Sequence, residues 1–195
     1  NLPGAVSLDA SLIGPCTGNS LHKADLFEPL APAMILPEVK DPAKWFGGHL
    51  WADNQTGKNL IYSFVAQVTP SLYYNTQLVK PQDVRSYNDL LDPRWKGKIG
   101  LRDPRVPGGG LAMWAFLLDL KGEEYIKKLA QQEMFVSRNA RQIADALAKG
   151  NLAITMGVGY RDFDAFLDAN LPVKHLPTLK EGTYVSGGNG ILGIL

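Results

Sequence analysis

A single cysteine, Cys16, stands among the 195 residues, which excludes an internal disulfide, falls far short of a thiolate metal cluster and leaves the redox compartment open. The three histidines, His22, His49 and His175, are scattered without a pair at ligand spacing, so surface or packing roles are expected of them. No HExxH, CxxC or Ser-His-Asp order points to zinc or hydrolytic chemistry. Charge of one sign is missing too: the formal net charge is +1, a field too weak to draw nucleic acid. The longest apolar runs, such as Leu111 to Leu120, are too short to cross a bilayer, and no basic stretch followed by an apolar one opens the chain. What is present is 45% hydrophobic and 20% charged residues, enough for a substantial core in one large domain or two small ones. The chain starts at Asn1 without methionine and stops inside the apolar run Ile191 to Leu195, so further elements of the same core are expected on both sides, a signal peptide among them.

Ala5 to Leu8 reads as a short strand leading to a turn at Asp9-Ala10-Ser11. Prolines at 29, 32, 37 and 42 make the next stretch a surface excursion, since each removes a donor and fixes the backbone. Trp45 to Trp51 and the β-rich Leu60 to Val68 predict two strands joined by a turn near Asn54 to Asn59. Strands are also predicted at Leu72-Tyr73-Tyr74-Asn75, Ile99 to Leu101, Leu152 to Gly157 and Val173 to Leu176. Between them lie helices: a buried one from Leu111, one over Glu123 to Gln132 with Tyr125, Ile126 and Leu129 on one face, and one over Asn139 to Lys149 with Ile143, Ala144 and Leu147 inward. Gly150 stops the last of these, and a further helix over Asp162 to Asn170 turns Phe163, Phe166 and Leu167 inward. Short strands alternating with helices predict α/β units.

Gly108-Gly109-Gly110, running straight into the helix at Leu111, offers unblocked amides and a helix dipole to an anion; three glycines also make a plain turn that lets helix and strand approach. It is not a phosphate loop of the nucleotide-binding kind, because no Lys-Ser or Lys-Thr follows Gly110. Arg102, Arg105 and Arg138 stand near by in sequence, and guanidinium forks suit carboxylates and phosphates; of the three, Arg138 is the favoured candidate to face a ligand. Ser137 and Asn139 are expected as helix caps.

The run Ser86-Tyr87-Asn88-Asp89-Leu90-Leu91-Asp92-Pro93-Arg94-Trp95-Lys96-Gly97-Lys98-Ile99 resembles the signature of bacterial extracellular solute-binding proteins of ABC importers, related to the ferric-iron-binding group. Tyr74-Asn75-Thr76, Asp103 to Gly110, Ala148 to Ile154 and Lys180-Glu181-Gly182-Thr183 fall in the order of that family's other features. The resemblance implies a two-lobed α/β fold of the type II periplasmic-binding-protein kind with the first lobe incomplete: residues 1–72 and 176–195 in one lobe, 73–175 in the other. It implies a small anionic or polar organic solute, a membrane permease as partner, a periplasmic or extracytoplasmic location, a monomer, no cofactor and no catalysis. Tyr160 lies where iron-binding relatives carry two adjacent tyrosines, and Arg161 beside it argues against iron. Asp9 and Ser11 lie where the family's first lobe offers hydroxyls and amides, and Tyr74 or Tyr73, which alternate in direction, lines the cleft or packs at the hinge. Two other readings stay open: ferric iron held with an anion, and an enzyme on a similar scaffold acting on a phosphorylated or carboxylated metabolite.

Overall fold

The computed structural model of the chain describes residues 10–14, 21–23, 25–53, 57–65, 72–184 and 190–195. The strands are β1 (Ala10–Ile13), β2 (Ile61–Val65), β3 (Leu72–Asn75), β4 (Ile99–Arg102), β5 (Phe135–Ser137), β6 (Ile154–Met156), β7 (Val173–His175) and β8 (Gly190–Ile194). The helices used below are α1 (Gly109–Lys121), α2 (Glu123–Ala130), α3 (Ala140–Ala148) and α4 (Asp164–Asp168). The chain divides into two compact units, Asn1–Val68 with Ser186–Leu195, and Thr69–Val185.

In the first unit β8 is the central strand of an antiparallel sheet ordered β1-β8-β2. Its glycines make room for rings: a Cβ on Gly190 would lie 2.8 Å from the Phe64 ring, and one on Gly193 would collide with the Phe27 ring. Phe27, Leu60, Ile61 and Ile191 form one small apolar cluster, and Leu30, Met34 and Tyr62 another. The proline-rich excursion is a series of single turns at Ala31–Ala33, Pro37–Lys40 and Pro42–Lys44. The strand expected at Trp45 to Trp51 is reduced to one bridge, Trp51 to Tyr62, because Gly47 and Gly48 both adopt positive φ and break the extended backbone. Trp45, His49 and Trp51 instead pack around the Tyr62 ring at centroid distances of 5.2, 5.5 and 5.1 Å.

The second unit is built on a five-stranded sheet ordered β5-β4-β6-β3-β7, in which β5, β4 and β6 run parallel and β3 runs against β6 and β7. Helices cover both faces. Leu72, Tyr74, Ile99, Leu101, Ile154 and Met156 pack under α1 and α2 through Met113, Leu117, Tyr125 and Leu129. Tyr73, Leu152 and Val173 pack on the other face with Ile143, Ala144 and Leu147 of α3 and with Phe163 and Phe166. Period-two alternation thus sends adjacent tyrosines to opposite layers. Leu176 and Leu179 are buried in the first of these layers.

Burial raises the phenol pKa values of Tyr62, Tyr73 and Tyr125, and pushes that of Tyr87 up to about 12. A folded-state pKa above the unfolded value of roughly 10 stabilises fully below that pH and is lost as pH rises through the folded value. Stability in urea is therefore expected to be flat up to about pH 10 and to fall steadily above it. Phenolate absorbance from these four tyrosines should appear together with unfolding; their early ionisation in the folded chain would contradict this packing.

Candidate functional site

Strands β5, β4 and β6 are in register, with Arg102 beside Ser137 on one side and Leu101 beside Met156 on the other. The turns that follow them, at residues 103–108, 138–139 and 157–159, therefore leave the same edge of the sheet, the edge where parallel α/β sheets bind ligands. The groove lined by Thr76, Gln77, Leu171 and Lys174 opens at the opposite edge.

The glycine turn is first a packing device. A Cβ on Gly109 would stand 2.5 Å from the Gly157 carbonyl oxygen, and one on Gly110 would sit 2.6 Å from the Arg102 carbonyl carbon and collide with its oxygen. A Cβ on Gly157, whose φ is +70°, would likewise stand 2.7 Å from the Gly110 α-carbon. The close approach that demands glycine at 109 and 110 is thus to the ends of β6 and β4. Gly108 precedes α1 with φ +142° and supplies no side-chain cap, so the first-turn amides of Gly109, Gly110 and Leu111 have no intrahelical acceptor.

Cationic groups crowd this helix terminus. The Arg102 guanidinium lies flat against Gly108, where a Cβ would be 3.3 Å from its Cζ, and its buried Nε has no hydrogen-bond partner among the described residues. Asp103, with a side chain only 2% exposed, accepts from Arg105 Nε at 2.8 Å and Nη2 at 3.0 Å, and from Arg138 Nε at 3.2 Å. Two arginines thus share one carboxylate, and a third, Arg102, stands beside them at the positive end of a 13-residue helix. Hydrogen bonds from Arg105, with a further one from Arg138, hold the Asp103 carboxyl well below the usual carboxylate range despite its burial. A depressed folded pKa gives stability that is present above the unfolded value of about 3.9 and is lost as pH falls through the folded value. Asp103→Asn is expected to lower the melting temperature at pH 7, with the gap from the parent narrowing only below the ordinary aspartate range. A gap that stays constant down to that range and beyond would show that the carboxylate's charge is not what matters.

Of the other candidates, Arg138 is tied to Asp103 yet keeps a side chain 72% exposed. Asn139 caps α3 by accepting from Gln142 N at 3.3 Å, and Ser137 Oγ accepts from Asn139 N at 3.1 Å. Tyr160 opens a single turn, Tyr160–Asp162, which Asp162 closes by accepting from Gly159 N at 3.1 Å, and its side chain is exposed. Tyr74 is different: 5% exposed within the apolar layer under α1, it is a core residue here. Ser11 does not lie in a turn after the first strand; it is inside β1, paired with Gly193, because β8 recruits this segment into the sheet. Asp9, Ala5 to Leu8 and residues 54–56 of the turn expected near Asn54 to Asn59 lie outside the described residues. Sequence reasoning passed over Arg102 as the arginine nearest the helix terminus and Asp103 as the hub; the available signal was Arg102-Asp103-Pro104 at a strand end, leading through Arg105-Val106-Pro107 into the glycine turn.

With parallel strands, helices on both faces and glycine turns gathered at one edge of the second unit, the chain has the two-lobed α/β fold of the type II periplasmic-binding class. Residues 17–193 match the family model described as bacterial extracellular solute-binding protein, and the chain belongs to that family. It is 27% identical over 161 residues to Iron uptake protein A2 of Synechocystis sp., covering 82% of this chain and 41% of that protein. Among solved structures it is similar to AfuA from Actinobacillus pleuropneumoniae with fructose-6-phosphate bound, with a TM-score of 0.66, 23% identity, and 97% of this chain and 58% of that one covered. It is also similar to iron-bound HitA from Pseudomonas aeruginosa, with a TM-score of 0.65, 19% identity, and 97% and 59% covered. The chain thus spans well under two thirds of each of these relatives. Among the described residues no helix is long and apolar enough to cross a membrane, and no group of three or more His, Cys, Asp or Glu side chains gathers as a metal site.

Proposed function

We propose that this chain captures a small anionic organic solute outside the cytoplasm, in a periplasmic or equivalent compartment, and passes it as a monomer to the membrane permease of an ABC importer. The observation that carries this reading is Arg102: a guanidinium with an unpartnered, buried Nε packed against the amide-rich start of α1. A cation at the positive end of a helix is unfavourable by itself. An anion there accepts from the amides of Gly109 and Gly110 and from the arginine fork together, which turns the repulsion into attraction. Arg138 and Tyr160, on the same edge, complete the proposed contacts in this unit. The first unit's contribution includes Ser11 and Asp9 only as sequence-level candidates. Capture works as a shift in population toward a closed form that contacts the solute from both lobes, with no covalent change in it.

The test is a thermal-shift screen against sugar phosphates, organic acids, phosphonates, polyamines and ferric citrate, since a ligand that binds only the folded form raises the melting temperature. A rise with an anionic organic compound and none with polyamines is expected; a polyamine hit alone overturns the reading. A second reading, ferric iron, is favoured by the similarity to Iron uptake protein A2 and to iron-bound HitA. Against it stands Tyr160 with Arg161 as its neighbour, one phenolate beside a cation. Ferric citrate is expected to give no intense visible charge-transfer band, and a stable coloured complex would establish iron instead.

A further inference from the structure

The turns that follow β4, β5 and β6 carry an uneven charge. Residues 102–108, 138–139 and 157–162 hold four arginines, Arg102, Arg105, Arg138 and Arg161, against two aspartates, Asp103 and Asp162. That is an excess of two positive charges on one edge of a sheet, in a chain whose formal net charge is only +1. Asp103 accepts from both Arg105 and Arg138, and one carboxylate balances only one of them. Asp162 Oδ2 accepts from the Gly159 amide at 3.1 Å. Neither Arg102 nor Arg161 has an ion-pair partner among the described residues. The first turn of α3 leaves this balance as it is, because Asp145 meets Arg141 at 3.4 Å. Asp164, at the start of α4, acts on the Tyr73 phenol, whose pKa is raised by burial first and by this charge second. The start of α1 adds its own partial positive charge at the same edge.

We propose, resting on the reading that this edge receives an anion, that the solute carries at least two negative charges at neutral pH, as a phosphate monoester or a dicarboxylate does. A monoanion of the same size, such as a sulfate ester or a single carboxylate, balances one guanidinium and leaves the second excess charge and the helix terminus uncompensated. A dianion answers both. Coulomb energy is proportional to charge, so each arginine attracts a dianion about twice as strongly as a monoanion at the same distance. Arg105 and Arg138 are 78% and 72% exposed, so water and salt screen them. The preference for the dianion is therefore about tenfold, well short of what the same charges would give in a dry site.

Methyl phosphate and methyl sulfate have nearly the same shape and differ by one charge at a pH of about 8, the first a dianion and the second a monoanion. Succinate and monomethyl succinate make the corresponding carboxylate pair. Each compound is titrated into the isotope-labelled full chain at low ionic strength, and the amide resonances of Gly109 and Gly110 are followed by nuclear magnetic resonance. In at least one pair the dianion is expected to bind at these amides about tenfold more tightly than its monoanion. Which pair shows the gap tells a phosphate monoester from a dicarboxylate. If methyl phosphate is the tighter dianion, its affinity is expected to fall towards that of methyl sulfate at a pH of about 5, below its second pKa of about 6. Histidine cannot imitate that loss, because His22 and His49 lie in the first unit and His175 in β7. Equal affinity within both pairs, or tighter binding of the monoanions, overturns the proposal and leaves the anion-binding reading standing. Methyl phosphate affinity retained at a pH of about 5 overturns it as well. If none of the four compounds moves the Gly109 and Gly110 resonances, the anion-binding reading itself fails and the proposal falls with it.

Discussion

Gly110→Ala is expected to cost about 3 kcal/mol of stability, the upper end of what overpacking costs and a large share of a typical 5–15 kcal/mol total. The added Cβ meets the Arg102 carbonyl group, which is backbone at the end of β4 and cannot rotate away as a side chain can. Gly157 lies so near that a Cβ on it would stand 2.7 Å from the Gly110 α-carbon, so α1 has little room to retreat. Gly122→Ala is the control. Gly122 also precedes a helix, but it sits in open space with φ +78°, so the substitution there costs only the left-handed backbone strain of about 1–2 kcal/mol. Urea unfolding followed by circular dichroism separates the two. If Gly110→Ala is no worse than Gly122→Ala, the contact between α1 and the strand ends is looser than described.

Arg102→Ala is expected to weaken binding of the strongest anionic compound from the screen by about ten- to a hundredfold, the worth of a charged hydrogen bond of about 1.5–3 kcal/mol. The same change removes a cation from the positive end of α1, so the free protein should be as stable as the parent or slightly more so. This pairing of lost affinity with retained stability is what a merely structural arginine would not produce. Arg138→Ala is expected to weaken binding over the same range and to release one of the two arginines on Asp103, so it should lower stability as well. Isothermal titration with melting curves on both variants gives the comparison. Binding unchanged in both places the site elsewhere; binding unchanged in Arg102→Ala with lower stability makes that arginine a packing residue.

The helices and the inner strands of the second unit were legible because one periodicity dominates each. Ile143, Ala144 and Leu147 mark the buried face of α3, and Asn139 and Gly150 stand at its two ends as cap and stop. The edge strand β5 was passed over because Phe135 and Val136 are both partly exposed and show no alternation. Strand β8 read only as an apolar end; its glycines look like turn formers until the Phe27 and Phe64 rings are seen to occupy the space their side chains would need.

By itself the sequence determined the α/β character of the second unit, the order of its elements and the family, since these follow from local periodicity and from a long contiguous motif. Tertiary structure alone decided which arginine meets the start of α1, why Gly109 and Gly110 must be glycine, that Tyr74 faces the core and that Glu181 reaches Ser86 and Lys121. The physical reason is range. A helix face is specified within a few residues, whereas a carboxylate 95 positions from its hydroxyl donor, or a carbonyl beneath a glycine from the next element, is brought into place only when the sheet is assembled.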